Sequence, residues 1–394
     1  MMPRALLGPR LAAQALAAAL GLAACSDSTG PDPGPDGDGF QVVGRGRVDD
    51  RFTSDLWVAG DWAYTGTWGT RRDGPAVALG DALNVWDISD PAAPRLATTL
   101  TVDARTVNDV KVSADGALAV LTHEGSGDGL NGVTLLDLAD PGRPTILTRY
   151  TDGLETGVHN VWIDGNYLYV AVDGEGQGLR ILDISDPAAP APVASYYAGT
   201  STLHDVYVRH GLAFLSHWNA GLVILDVGNG IAGGSPADPV EVASIALDGQ
   251  THNAWYWPDA GYVFVGEEDF ADPGRVHVVD LATLDAPRAV ATFTVPDAGS
   301  PPHNFWLDEA RGILYAAWYG HGIRAVDVTG ELVGALERQG REIAAATYEG
   351  PAPNGCAGSG ATCSWAPQLA GGLLYVADIN HGLVVLRPPP PPGR

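Results

Sequence analysis

One short strand ending is written six times along this chain, and it constrains the fold more than any other feature. The copies are Val85-Trp86-Asp87-Ile88, Leu135-Leu136-Asp137-Leu138, Ile181-Leu182-Asp183-Ile184, Ile224-Leu225-Asp226-Val227, Val278-Val279-Asp280-Leu281 and Ala325-Val326-Asp327-Val328. A seventh, Val384-Val385-Leu386-Arg387, has lost the aspartate. Successive aspartates stand 50, 46, 43, 54 and 47 residues apart. Strand-rich repeats of ~40–50 residues make propeller blades, each of which needs its neighbours to bury both faces. An all-β fold is therefore expected: a seven-bladed β-propeller of four-stranded antiparallel blades.

The fourth repeat shows one blade most clearly. His204-Asp205-Val206-Tyr207-Val208 reads as strand a, Arg209-His210-Gly211 as a tight turn, and Leu212-Ala213-Phe214-Leu215-Ser216 as strand b. Leu222 to Val227 reads as strand c and Pro239 to Leu247 as strand d. Runs of four to six β-prone residues between Gly, Asn and Pro are the hairpin signal. In three other blades strand c exits through Asp-Pro-x-x-Pro, at Asp90, Asp140 and Asp186. Prolines suit a crossover, where no ladder hydrogen bond is needed. The last repeat holds only three strands. Gln41 to Val48 reads as the missing fourth, closing the ring and removing its free edges. A closed ring of this kind is expected to be a monomer.

Gly221-Leu222-Val223-Ile224-Leu225-Asp226-Val227, after His-Asp-Val-Tyr-Val, resembles the LVIVD repeat of bacterial surface β-propellers. The resemblance covers roughly residues 40–387. It implies a propeller on a cell surface and no particular reaction.

The ends of the chain read as export signals. Arg4 and Arg10 precede an Ala/Leu-rich run from Leu11 to Leu22, too short for a comfortable membrane span of ~20 residues. Leu22-Ala23-Ala24-Cys25 resembles the lipobox of bacterial lipoproteins, which makes residues 1–24 a lipoprotein signal peptide and Cys25 the lipidated N-terminus. The alternative is an ordinary secretory signal in which Cys25 has no role. Residues 25–39, rich in Ser, Asp, Pro and Gly, cannot bury apolar area and read as a flexible tether. Ser26 follows the cysteine where inner-membrane retention would have an aspartate, so the resemblance points to the outer membrane or cell surface. Residues 388–394 form a proline-rich tail. Cys356 and Cys363 are seven apart in a Gly/Ala/Ser loop. Outside the cytoplasm such a pair forms a disulfide; the alternative, a two-cysteine metal site, lacks its partner pair.

The net charge is −25, and loss of two leader arginines takes it to −27. Such acidity argues against nucleic acid and against anionic lipid surfaces, both of which recruit Lys and Arg. Contact with a membrane is expected only through the N-terminal lipid.

Aligned on strand a, the repeats place Ser54, Asn108, His159, His204, His252, His303 and Thr362 at one position. Asp55, Asp109, Asn160, Asp205, Asn253, Asn304 and Cys363 follow, and two further on come Trp57, Lys111, Trp162, Tyr207, Trp255, Trp306 and Trp365. Trp57, Trp162, Trp255 and Trp306 are expected to pack blades together. The b–c loops lie at the same end as the histidines and add His123, Glu124, His217, His321 and His381. A transition-metal site would draw on His159, His204, His252 and His303, helped by His217, His321 or His381. The competing reading makes the strand a histidines locks between neighbouring blades. Glu267, Glu268, Asp269 and Asp272 crowd one loop, as calcium ligation would require, and as a solvated acidic loop would also do. Trp218, Trp318 and Tyr319, with Trp68 and Phe270, gather toward the same end and would receive a sugar or a protein.

No nucleophile elbow, phosphate loop, dinucleotide fingerprint or His-Glu-x-x-His occurs. The sequence therefore favours a cell-envelope binding or scaffold module for an envelope protein or glycan over an enzyme. The alternatives are a metal-dependent enzyme, such as an oxidoreductase, built on the histidine cluster, and a calcium-stabilised adhesion module. The cofactor each implies is a divalent metal, transition ion or calcium.

Overall fold

The computed structural model describes residues 39–69, 71–73, 76–78, 80–199, 201–271, 274–350 and 356–390. The leader, Cys25, nearly all of the tether, Asp272 and the last four residues lie outside them. Seven sheets of four antiparallel strands form the blades of a ring, blade five adding a short parallel strand, Gly334–Ala335, at its edge; the regular secondary structure among the described residues is otherwise one 3-10 turn, Glu337–Gln339, and a short hairpin. In blade four, strands a to d are Leu203–Arg209, Leu212–His217, Gly221–Asp226 and Val240–Ile245, close to the bounds read from the sequence. Blade seven takes Ser364–Ala370, Leu373–Asp378 and Gly382–Arg387 from the C-terminal end and Gln41–Gly46 from the N-terminal end. The last two pair antiparallel from Gln41↔Arg387 to Gly46↔Leu383, so the ring closes as expected.

Burial follows the position of each strand in its blade. Strand c of blade four is buried throughout, whereas the outer strand of blade one, Arg95–Thr101, is mostly exposed. Seven apolar clusters sit at the seven seams between blades. One joins Val85 and Tyr64 of blade one to Leu121 and Leu136 of blade two. Burial at ~25 cal/mol per Å² makes these seams the main cohesive force of the ring.

The repeated aspartate bends the chain from strand c to strand d. Oδ1 of Asp87, Asp137, Asp183, Asp226, Asp280 and Asp327 accepts the backbone N–H two residues on, at 2.8–3.0 Å. Such an Asx turn reverses direction without a partner strand. Arg387 replaces the aspartate in blade seven because that blade has no c–d turn; its outer strand comes from the other end of the chain. Gly221, which opens strand c at φ +93°, is held to glycine twice over. A Cβ there would also lie 2.1 Å from the carbonyl oxygen of Ile245.

As expected, Trp57, Trp162 and Trp255 pack against the seam clusters, and Trp255 meets Trp306 of the next blade at 5.0 Å. The four also meet across the axis, Trp57 touching both Trp162 and Trp306 with ring centroids 5.9 and 6.4 Å apart, and they are half-buried. Two sequence readings are corrected. Blade seven was phased three residues early: pairing of Ser364 with Asp378 puts Trp365 in the histidine position and Gln368 in the tryptophan position. The proline tail does not begin free of the fold, since Pro388 and Pro389 are buried.

Candidate functional site

Strand a lines the axis in every blade, and its three polar or aromatic positions become three layers. The lowest is the tryptophan plug, completed by Tyr207, which stacks on Trp255 at 5.0 Å.

Above it lies a polar layer. Asp109 Oδ2 accepts from Val161 N at 2.8 Å and Asn160 Nδ2 at 3.0 Å, and Asn160 Oδ1 accepts from Val206 N at 3.0 Å. Each bond runs from one blade to the next, so much of the interblade locking expected of the histidines falls to the residue after them. Lys111 is buried here against Asp109 and, at 2.8 Å, Asp55. Burial alone would discharge that amine; the two carboxylates outweigh it and keep it charged. Burial pushes the Asp205 carboxyl up to about 7, against the pull of Lys111.

The histidines form the third layer, at the mouth. Ring centroids run 3.9 Å from His159 to His204, 4.7 Å to His252, 4.2 Å to His303 and 4.3 Å to Trp365. The stack covers consecutive blades and ends on the tryptophan that takes the histidine's place in blade seven.

The four rings are chemically unequal. His159 Nδ1 meets Glu124 Oε1 at 3.0 Å and its Nε2 lies 3.2 Å from Asn108 Nδ2. Burial opposes its charge, but the Glu124 bond wins and raises it to about 9. His303 donates through Nδ1 to the carbonyl oxygen of Trp365 at 2.8 Å, locking a neighbouring blade through its backbone, and burial lowers it to about 3. His204 and His252 are pushed well below the usual imidazole range, by burial first and by neighbouring imidazoles second. His204 Nε2 and His252 Nδ1 are buried with no hydrogen-bond partner.

Over this stack opens a cavity of 340 Å³. Its walls are largely Trp68, Phe270, Tyr319, Trp365, Ile379 and the joined Cys356–Cys363 pair; its floor is His159, His204, His303 and Glu268. Trp68 and Phe270 stand exposed at the rim. Tyr319, held at φ +43° in its loop, donates its hydroxyl to Glu268 Oε1. Burial pushes Glu268 up to about 7, the Tyr319 bond and the His159 charge pulling the other way. Trp218 packs against His204, ring centroids 4.4 Å apart and tilted at 48°.

The remaining residues singled out from the sequence lie elsewhere. His217 donates to the Ser201 carbonyl oxygen at 3.1 Å, His381 to that of Ala361 at 3.2 Å, and His321 meets Ser300 Oγ at 3.0 Å. Trp318 is fully buried in its blade and donates to the Ser300 carbonyl oxygen, so it offers no surface to a ligand. The described carboxylates of the acidic loop, Glu267, Glu268 and Asp269, do not converge. Glu267 faces Arg275 at 2.9 Å and His277 at 3.2 Å, Glu268 turns inward to Tyr319, and Asp269 caps the N–H of Ala271. Trp365 and the disulfide were missed as cavity walls; the phase of the last repeat hid the first, and no local signal marks the second.

The family model of the LVIVD repeat matches residues 77–102, 157–198, 202–246 and 366–386. The chain carries LVIVD repeats. The matched segments include the whole of blades three and four, and blade seven from Ala366 onward. The chain is also similar to the crystal structure of the computationally designed Ika8 protein, at 11% identity and a TM-score of 0.56, covering 88% of this chain and 99% of that one. That likeness concerns the fold alone. No curated protein matches the chain. The LVIVD matches fall on blades one, three, four and seven; the cavity combines the recurring histidines with residues particular to single blades, such as Trp68, Glu268, Phe270 and the disulfide.

Proposed function

We propose that this protein is a lipid-tethered binding module of the bacterial cell envelope, and that its partner is a protein whose apolar or aromatic side chain enters the channel-mouth cavity. The aromatic-walled cavity carries the reading. A concave, mostly apolar pocket with a few convergent polar groups is the usual form of a ligand site. Exposed Trp68 and Phe270 give it a sticky rim, as interface anchors do. A bare sugar fits less well, because its hydroxyls would face Phe270, Ile379 and the disulfide without hydrogen-bond partners. The leader sequence and the tether support the location.

The test is site-specific photo-crosslinking from position 270 in intact cells, beside the same experiment in a Trp365→Ala background. A single crosslinked envelope protein that disappears in that background supports the reading. Crosslinks to no protein, with saturable binding of an envelope oligosaccharide instead, overturn it in favour of a glycan partner.

A further inference from the structure

We infer that His204, His252 and Glu268 form a binding site for one divalent transition-metal ion at the base of the cavity, His204 and Glu268 lining it and His252 buried behind them. One ligand atom from each lies within 4.8 Å of the other two. They come from strand a of blade four, strand a of blade five and the b–c loop of blade five, so the site straddles a seam. Glu268 Oε2 stands 3.5 Å from His252 Nε2. That is longer than a good hydrogen bond and near the edge, about 3.4 Å, of a tetrahedron with metal bonds of ~2.0–2.1 Å.

The surroundings have the form of an outer shell. Tyr319 holds Oε1 of Glu268, leaving Oε2 toward the histidines. Trp218 lies against the His204 ring, and the Gln250 amide, turned to satisfy both neighbours, bridges Trp218 Nε1 and the Glu268 carbonyl oxygen. Such partners fix the orientation of metal ligands. His204 Nε2 is buried without a partner, an arrangement that needs a reason in a folded protein.

The same geometry reduces a four-histidine site to two. His159 is already engaged in the ion pair with Glu124, and His303 lies outside the triplet. A second triplet, Glu124, His159 and Asp173, is half-exposed and built around an existing ion pair. Two imidazoles and one carboxylate suit first-row ions such as Zn²⁺, Co²⁺ or Fe²⁺ over the oxygen-seeking Ca²⁺. His204 and Glu268 both line the cavity, so the open coordination positions face whatever enters it. The inference stands on these donors and not on the nature of the partner.

The probe is Co²⁺ alone, titrated into the purified, chelator-stripped full-length chain and followed by its visible ligand-field absorption. Saturation at one equivalent per chain, with displacement by Zn²⁺ and not by Ca²⁺, is expected. His252→Ala and Glu268→Gln should each weaken binding at least tenfold, while His321→Ala leaves it unchanged; melting curves check that each variant is folded. Absence of saturable Co²⁺ binding by the wild-type chain, or binding that survives the substitutions at both His252 and Glu268, overturns the site. A chain that keeps its Co²⁺ site and loses its envelope crosslink counts against the docking reading alone.

Discussion

His159 and Glu124 set the charge of the mouth. The imidazole titrates at about 9 in the folded protein, against ~6.5 in an unfolded chain. The folded state therefore holds the proton more tightly. The stabilisation is complete below about pH 6.5 and fades as pH rises to about 9. In chelator-treated protein, Glu124→Gln should cost about 2 kcal/mol at pH 6 and almost nothing at pH 10, read by urea unfolding. A cost that does not change with pH would mean the pair contributes packing and not charge. At this scale the sequence was partly legible. The histidine column appeared because it recurs at one position in four blades. The inequality of its members did not, because Glu124, Asn108 and Trp365 reach them from other blades. Glu268 and Asp269 are adjacent in sequence, yet one faces the cavity and the other caps a loop. Sequence proximity carried no information about where each carboxylate points.

The strand c aspartates are one motif doing two grades of work. Asp137 accepts a single backbone N–H, from Ala139. Asp226 accepts five, from Gly228, Asn229, Gly230, Ala232 and Gly234, and is fully buried. Burial would raise its carboxyl; the backbone donors overcome that and hold it far below the usual range. Asp226→Ala should cost about 3 kcal/mol and Asp137→Ala about 1 kcal/mol, since each lost bond to a charged acceptor leaves a donor less well satisfied. Because the Asp226 carboxyl is depressed, its contribution holds above about pH 4 and is lost as pH falls further. Equal costs for the two variants would show that the loop from Gly228 to Gly234 holds its own shape. The strands themselves were legible from alternation and punctuation. The phase of blade seven was not. Its Thr362-Cys363-Ser364-Trp365 imitates the spacing of the other blades, and only cross-strand pairing with Asp378 shows that Trp365 stands in the histidine position.

Closure is a property of the whole ring, and the strand Gln41–Gly46 provides it. It pairs with Gly382–Arg387 in blade seven. It also reaches blade one, where a Cβ at Gly44 would lie 2.2 Å from the Pro91 carbonyl oxygen and one at Gly46 would meet the Trp86 ring at 2.4 Å. Arg45 adds a bond to the Tyr348 carbonyl oxygen at 3.1 Å and an ion pair with Glu349. One strand thus joins the two ends of the chain and packs on the seam between the last blade and the first. Without it, Gly382–Arg387 becomes a free edge of apolar residues, the usual template for aggregation. Deletion of residues 39–47 should lower the melting temperature by at least about 10 °C and shift the protein from monomer to aggregate in size-exclusion chromatography. A synthetic peptide spanning residues 40–48, added in trans, should restore the monomer by pairing with that edge. Gly44→Val tests the second contact without exposing the edge: it should lower stability while the protein stays monomeric. If the deleted chain is as stable and as monomeric as the intact one, the ring is held by its seams alone. The N-terminal strand would then be an ornament of blade seven.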